Sequence, residues 1–247
     1  MTYKLVVSEK PSVGAAYAKV LGATNRQDGY WEGNGYLVSW CIGHLVELAP
    51  PNVYDEKYVK WSVDDLPILP EKWQYLVPAS TKKQFYILKK LMNRPDVESI
   101  VNSCDAGREG ELIFRLVYQQ AGCKKPVFRL WLSSMEESAI RVGFAHLKPS
   151  TEYDALYNAA LCRERADWIV GINVSRLFSC LYNQPLAVGR VMTPVLAMTV
   201  AREAAIAAFV PENFYTVALT LADGGTASSK RFAQKADAEL LLSKCRK

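Results

Sequence analysis

The chain has 247 residues, half of them apolar, and a formal net charge of +5 at pH 7. This length and composition support a substantial core in one or two domains and exclude a disordered or fibrous protein. The charge supports nucleic-acid binding only weakly, because many soluble proteins carry a similar excess. No apolar stretch approaches the length of about 20 residues that a membrane span needs, so we expect no membrane association.

Strands and helices alternate through the first 148 residues. A strand at 3–7 precedes a helix at 11–21, which has Pro11 at its start and Gly22 just past its end. The pattern continues with a strand at 36–42, a helix at 81–92, a strand at 99–103, a helix at 109–121, a strand at 127–132 and a helix at 136–147. This alternation predicts an α/β fold with a mainly parallel sheet flanked by helices on both faces.

A long segment rich in proline and aromatic residues interrupts this alternation. It runs from Pro50 to Trp73 and includes Trp61. A loop of this length is usually either functional or packed as a lid. Both tryptophans can stack on nucleic-acid bases, but we favour packing beneath the loop.

The pattern changes at Pro149, where we place a domain boundary. A long helix is predicted from Thr151 to about Tyr182, with Thr151 and Asp154 approximating a capping box. A further helix is predicted at 193–207, capped by Thr193 and carrying Pro194 at its first position.

Beyond Pro211 the sequence becomes β-like again. Residues 214–221 and the turn at 223–225 predict a hairpin that the remaining residues do not complete into a domain. The predicted domains are therefore 1–148 (α/β), 149–211 (mostly helical) and 212–247 (the start of a β-containing domain).

The six cysteines are scattered, and no two of them form a CxxC pair. A disulfide framework is not expected in a chain of this length, and only two histidines are present to support a zinc site. We interpret the cysteines as reduced and mostly buried. Because the N-terminus leads directly into a strand rather than a signal peptide, we expect a cytoplasmic protein.

The strongest functional signal is the turn between the strand at 99–103 and the helix after it. Asp105-Ala106-Gly107-Arg108-Glu109-Gly110-Glu111 crowds three carboxylates and an arginine there. The helix dipole explains acids in a first turn, but it does not explain two glycines around an arginine. Asp105 and Glu109 offer the oxygen ligands that Mg²⁺ prefers, and Arg108 offers a planar guanidinium to a phosphate.

A second turn of this kind, Glu9-Lys10-Pro11-Ser12, follows the first strand. Its simplest interpretation is a helix start with Lys10 in solvent. Because ligands of parallel sheets bind beyond the carboxyl ends of the strands, we instead expect Glu9 and Asp105 at one shared site. His44, at the end of the strand at 36–42, is either a contact at that edge or a hydrogen-bonded structural residue.

Charged residues in the second half of the chain are candidates for nucleic-acid contacts. Arg163 and Asp167 have the spacing of an i,i+4 ion pair, which is either a solvated helix face or part of a binding surface. Arg190, in the loop before the next helix, is either a phosphate contact or a surface arginine. We favour the binding role for all three.

Six motifs, taken in order, carry a family resemblance. They are the segments at 9–12, 40–47, 66–73, 105–111, 165–173 and 189–194. Together they resemble the N-terminal part of a type IA DNA topoisomerase of the topoisomerase III branch. The resemblance implies a Toprim domain over 1–148 and, after it, a DNA-gripping domain.

The resemblance also implies an activity. Members of this family cut one DNA strand, pass another through the break and reseal it, with Mg²⁺, without ATP and through a tyrosyl–DNA intermediate. Glu9 matches a proposed general acid and metal ligand, and Asp105 and Glu109 match further metal ligands. Lys10 and Arg108 match catalytic basic residues near the scissile phosphate.

The implied partner is single-stranded DNA, contacted by His44, Arg163, Asp167 and Arg190. A monomer is expected, associated with the nucleoid if the source is bacterial. The sequence identifies no helicase or single-strand-binding protein as a partner.

The sequence departs from the family pattern in three places. Gly107 stands where the pattern Asp-x-Asp-Arg-Glu-Gly has its second acid, so one metal ligand is missing or is supplied elsewhere, with Glu111 as the candidate. Met192 stands where many relatives have glutamine. None of the 13 tyrosines lies in a Tyr-x-Arg-Thr motif, the pattern of the family's nucleophile. We therefore expect an N-terminal fragment that cannot form a covalent DNA adduct by itself.

Three alternatives stay open at this point. Another Toprim enzyme, such as a primase or nuclease, would keep the acidic turn but lack the helical segment at 165–173 and the loop at 189–194. A single-strand DNA-binding module would use the same scaffold without chemistry, and its binding would depend on salt. A small-molecule phosphotransfer enzyme would not need the basic helix.

Overall fold

The computed structural model describes residues 2–245. The chain forms two compact units, which divide between Arg190 and Val191. The division into three domains at 148 and 211 stays a prediction.

A seven-stranded sheet lies at the centre of the first unit. The strands of this unit are β1 (Tyr3–Ser8), β2 (Asn25–Gln27), β3 (Tyr30–Gly33), β4 (Tyr36–Trp40), β5 (Glu47–Leu48), β6 (Tyr75–Leu76), β7 (Val97–Asn102), β8 (Val127–Arg129) and β9 (Lys148–Pro149). The sheet order is β2-β3-β4-β1-β7-β8-β9, and β5 pairs with β6 separately. The central strands β4, β1, β7 and β8 are parallel, whereas β2, β3 and β9 are antiparallel additions at the edges. The predicted α/β class with a mainly parallel sheet is confirmed.

The helices of the first unit cover both faces of this sheet. They are α1 (Pro11–Leu21), α2 (Pro51–Tyr54), α3 (Lys82–Met92), α4 (Arg108–Gln120), α5 (Glu137–Ala145) and α6 (Asp154–Tyr182). Alternate residues of β1 enter different cores: Leu5 and Val7 pack with α3, α4 and the start of α6, and Val6 packs with α1 and α5. Successive side chains of a strand point to opposite faces of the sheet, so a strand made only of apolar residues can pack against helices on both faces.

The long proline-rich segment packs against α6. Asn173 of α6 accepts a hydrogen bond from the backbone N–H of Ile68 at 2.5 Å and donates one to its carbonyl at 3.0 Å. Trp73 makes an edge-to-face contact with Trp168, with the ring centroids 5.5 Å apart. The predicted packing therefore holds for Trp73, while Trp61 stays 49% exposed.

Two predicted helix starts are wrong. Residues 150–153 form a 3₁₀ turn, and α6 begins at Asp154 without the capping box predicted for Thr151. The Asp154 carboxylate instead accepts a hydrogen bond from Arg115 at 2.7 Å, which takes it away from a capping position. The following helix begins at Met192, so Thr193 lies inside it rather than before it.

In the second unit, residues 191–245 form two helices and a hairpin. They are α7 (Met192–Ala207), β10 (Ala218–Thr220), β11 (Thr226–Ser228) and α8 (Lys235–Cys245). The strands β10 and β11 are antiparallel, which confirms the predicted hairpin with shorter strands. The turn uses Gly224 at φ +86°, a conformation that favours glycine.

Two sequence expectations concern the chain as a whole. Across residues 2–245, none of the helices has the length and apolarity that crossing a membrane would require. The six cysteines are all free: Cys41, Cys104 and Cys123 are buried, Cys180 is partly exposed, and Cys162 and Cys245 are exposed.

Candidate active site

The ends of β1 and β7 bring the two predicted turns together. These strands are hydrogen-bonded neighbours in a parallel arrangement, so their carboxyl ends lie at the same edge of the sheet. The Lys10 ammonium lies 2.9 Å from a carboxylate oxygen of Asp105 and 3.4 Å from one of Glu9. The carboxylates of Glu9 and Asp105, which are far apart in the sequence, thus both lie beside the ammonium group of Lys10.

Burial distinguishes the two acids. The Glu9 side chain is 14% exposed, whereas those of Lys10 and Asp105 are each 53% exposed. The hydrogen bond to Asp105, assisted by the charge of Glu9, raises the pKa of Lys10. The ammonium is therefore charged at neutral pH and available to a phosphate at the open side of the site.

A glycine fixes the shape of the turn after β7. A Cβ atom at Gly110 would stand 2.2 Å from the backbone oxygen of Asp105, so no other residue fits there without moving the turn. Gly107 differs, because a Cβ atom there would meet nothing within 4 Å. Packing therefore does not exclude an acid at position 107.

Glu109 and Arg108 lie at the N-terminus of α4. The Glu109 carboxylate is 55% exposed and lies 3.8 Å from the guanidinium of Arg163 on α6. Arg108 is the first residue of α4 and is exposed. The structure thus directs Glu109 toward α6, while Glu9 and Asp105 converge on Lys10.

At this edge of the sheet, two carboxylates, those of Glu9 and Asp105, lie close enough together to hold a divalent cation. Within residues 2–245, no three His, Cys, Asp or Glu side chains are grouped closely enough to hold a metal ion. Mg²⁺ in nucleotide and nucleic-acid enzymes is often held by one or two carboxylates, with waters and substrate phosphates completing its octahedron. Glu9 and Asp105 match that requirement.

Glu111 is not a replacement ligand, and this expectation is wrong. Its side chain is fully buried. One carboxylate oxygen lies 2.8 Å from Nε of Arg115, and the other lies 2.9 Å from Nε of Arg129 and accepts a hydrogen bond from Asn102. With two guanidinium partners and no access to solvent, this carboxylate has no position left for a metal ion.

Arg129 connects this buried ion pair to the active-site turn. Its guanidinium donates hydrogen bonds to the backbone carbonyls of Cys104 at 2.7 Å and Asp105 at 2.8 Å. The Glu111–Arg129 pair therefore supports the backbone that presents Asp105. The role of Arg129 was not predicted, because nothing in its local sequence marks it.

Three charged residues meet on the exposed side of α6. Arg190 donates to both carboxylate oxygens of Asp167, at 2.6 and 3.1 Å, and Arg163 lies 3.7 Å from the same group. The hydrogen bond from Arg190 lowers the pKa of Asp167. The structure thus joins the predicted DNA contacts of two segments into one cluster, which Arg163 connects to Glu109.

A half-buried acid lies nearby on α6. The Tyr75 hydroxyl donates a hydrogen bond to Glu164 at 3.1 Å, and burial raises the pKa of this glutamate. The exposed His44, which follows Gly43 at φ +68°, lies close enough to Glu164 to offset part of this rise in its pKa. Sequence analysis treated Glu164 only as part of a charged helix face, so its burial was not predicted.

Comparison with known proteins agrees with this geometry. The Toprim domain model matches residues 4–135, and a DNA topoisomerase model matches residues 151–247. The chain is 46% identical to DNA topoisomerase 3 of Shouchella clausii, with 92% of this chain and 31% of the relative covered. It is 43% identical to DNA topoisomerase 3 of Bacillus subtilis, with 98% and 34% covered.

A solved structure shows the same fold. Full-length topoisomerase I from Thermotoga maritima matches with a TM-score of 0.61 at 24% identity, covering 96% of this chain and 37% of that one. The chain spans about a third of the length of the curated relatives it matches.

The Toprim model covers more than half of the chain. The chain therefore contains a Toprim domain. Because the DNA topoisomerase model matches residues 151–247, the chain belongs to the type IA DNA topoisomerase family. The relatives that match 92% and 98% of this chain are both named DNA topoisomerase 3. The resemblance carried by the six motifs is confirmed.

Proposed function

We propose that this chain supplies the metal-binding edge and part of the single-strand groove of a type IA topoisomerase. In that activity one DNA strand is cut, another is passed and the first is resealed, with Mg²⁺ and without ATP. The observation that carries the proposal is the position of Lys10 between Glu9 and Asp105, together with Glu109 of α4, which lies 3.8 Å from Arg163 of α6.

Each residue at the edge has a part in this proposal. Glu9 and Asp105 would hold the cation, with Glu109 at the start of α4 as a further candidate, and Mg²⁺ would offset negative charge on the DNA phosphates. Lys10 and Arg108 donate hydrogen bonds to the scissile phosphate, where charge grows as the bond breaks. When Glu9 is protonated and Asp105 alone holds the cation, Glu9 would give its proton to the departing 3′ oxygen.

The N-terminus of α4 adds to this phosphate site. Its first backbone N–H groups lack partners within the helix, and the helix dipole places partial positive charge there. Gly107 carries no side chain to cover them, and a phosphate can approach the backbone at this point.

DNA is held along α6 in this proposal. The cluster of Arg163, Asp167 and Arg190 presents two guanidinium groups beside Glu109, and His44 lies on the same side near Glu164. We further propose that the protein acts in the cytoplasm, since DNA is its substrate, and that it acts as a monomer.

Binding to single-stranded DNA tests the groove. We expect Arg190→Ala to weaken binding of a fluorescein-labelled oligonucleotide and to reduce the slope of log K against log [salt] by about 0.7, the value for one phosphate contact on a single strand. Fluorescence anisotropy at several salt concentrations gives both quantities.

The matched control is Lys83→Ala. Lys83 also pairs with an aspartate, Asp28 at 3.0 Å, but it lies on α3. This variant should keep the affinity and the slope of the wild type. Failure of the wild type to bind single strands, or equal losses in both variants, would contradict the proposed groove.

A further inference from the structure

A cleft opens next to the candidate active site, on the face of the sheet that carries α1 and α5. Trp131, after β8, forms one wall and α5 forms the other through Ala139 and Val142, enclosing about 580 Å³. A smaller cavity of about 470 Å³ shares Trp131 and Leu132 with the cleft and extends to Asp105. A nucleotide chain bound at Asp105 would therefore reach the cleft through the smaller cavity, past the side chain of Trp131.

The wall made by Trp131 is an aromatic stack. Its ring lies nearly parallel to that of Tyr153, with centroids 5.2 Å apart and 18° between the planes. The buried guanidinium of Arg129 lies 5.1 Å from the Trp131 centroid. Even so, Trp131 is 44% exposed. A partly exposed aromatic residue in a fixed orientation is the element on which proteins stack single-stranded bases.

Polar groups at the rim suit a sugar-phosphate backbone. Lys148 lines the cleft, and its ammonium forms an exposed pair with Glu152 at 3.3 Å. Such pairs contribute little, so a phosphate can replace the carboxylate at low cost. Ser133 and Ser134 line the smaller cavity between Trp131 and Asp105 and offer hydroxyl donors.

The cleft and the α6 cluster lie on opposite faces of the sheet. The start of α6 packs in the core that contains α3 and α4, whereas α1 and α5 share the other core. The acids Glu9 and Asp105 stand at the strand ends between these faces. An enzyme that cuts a strand at one point has to position the strand on both sides of that point before the cut, and the α6 cluster accounts for one side only.

We propose that the Trp131 cleft is a second single-stranded DNA subsite, which takes a base of the strand on the side of the cleavage point away from α6. The inference rests on the proposed function and extends it. The base inserts beside the Trp131–Tyr153 stack, and Lys148 contacts its backbone.

Photo-crosslinking tests this directly. Single-stranded oligonucleotides carrying 5-iodouracil at successive positions are irradiated with the wild-type chain, and adducts are mapped by mass spectrometry. We expect one position to crosslink to a peptide containing Trp131 or Tyr153. By anisotropy, Trp131→Ala should weaken binding roughly 5- to 150-fold, the range for one stacked base, and Trp131→Phe should retain most of the affinity.

Trp61→Ala is the matched control, because Trp61 is similarly exposed at 49% and also contacts an arginine, Arg176. It should bind like the wild type. If the wild type binds single strands but gives no adduct in the cleft, and Trp131→Phe and Trp131→Ala bind equally well, the subsite is wrong while the proposed function stands. Absence of any single-strand binding would instead overturn the proposed function.

Discussion

Glu111→Ala is expected to destabilise the chain by about 3–5 kcal/mol, the usual cost of removing one partner from a buried ion pair. Glu111 is fully buried, and its loss leaves the guanidiniums of Arg129 and Arg115 without their shared carboxylate. Arg129 is itself fully buried and cannot turn to solvent. Urea unfolding followed by circular dichroism measures the change in free energy of unfolding.

A control of identical spacing exists elsewhere in the chain. Glu137 and Arg141 also form an i,i+4 pair, at 2.7 Å, but both side chains are about 60% exposed. Glu137→Ala should leave the free energy of unfolding nearly unchanged, because water screens such pairs. Equal losses in the two variants would mean that Glu111 does not carry a buried ion pair.

The second large effect concerns the chemistry at Glu9. In a full-length protein that contains this chain, Glu9→Gln is expected to slow DNA cleavage by roughly 10²–10⁴-fold, the contribution of a positioned general acid. Affinity for single-stranded DNA should change little, since glutamine has nearly the same shape and can still accept a hydrogen bond from Lys10. Cleavage of a labelled oligonucleotide under single-turnover conditions gives the rate, and anisotropy gives the affinity.

Glu98→Gln is the control for this variant, because Glu98 is exposed near the start of β7, at the opposite end of the strand from the turn that carries Asp105. It should cut at the wild-type rate. Parallel losses of cleavage and binding in Glu9→Gln would indicate that Glu9 acts only in holding DNA or the fold, and unchanged cleavage would remove it from the mechanism.

The edge of the sheet that carries Glu9 and Asp105 could be predicted because it depends on short-range signals. Apolar runs at β1 and β7, each leading into a helix, indicate parallel strands, and parallel strands place the turns at their carboxyl ends along one edge of the sheet. That argument alone brings Glu9 and Asp105 together. The antiparallel strands β2 and β3 escaped prediction because they are short, β2 is exposed along its whole length, and neither shows an apolar alternation.

The roles of Glu111 and Arg190 could not be predicted from local sequence. Glu111 belongs to an acidic turn, and only the tertiary fold brings Arg129 against it from 18 residues further along the chain. Arg190 meets Asp167 across 23 residues through the chain reversal at Asn183, which takes φ +50°. Pairings of this kind depend on how α6 lies against its following loop, which periodicity does not specify.

Metal titration tests the central claim most directly: that Glu9 and Asp105 form one divalent-cation site. Mn²⁺ binding can be followed by electron paramagnetic resonance with a single-stranded oligonucleotide present. We expect Glu9→Gln and Asp105→Asn each to weaken binding by more than about tenfold, as even outer-shell changes at metal sites do, and Glu98→Gln to leave it unchanged. Wild-type Mn²⁺ affinity in both Glu9→Gln and Asp105→Asn, or an equal loss in Glu98→Gln, would contradict the account.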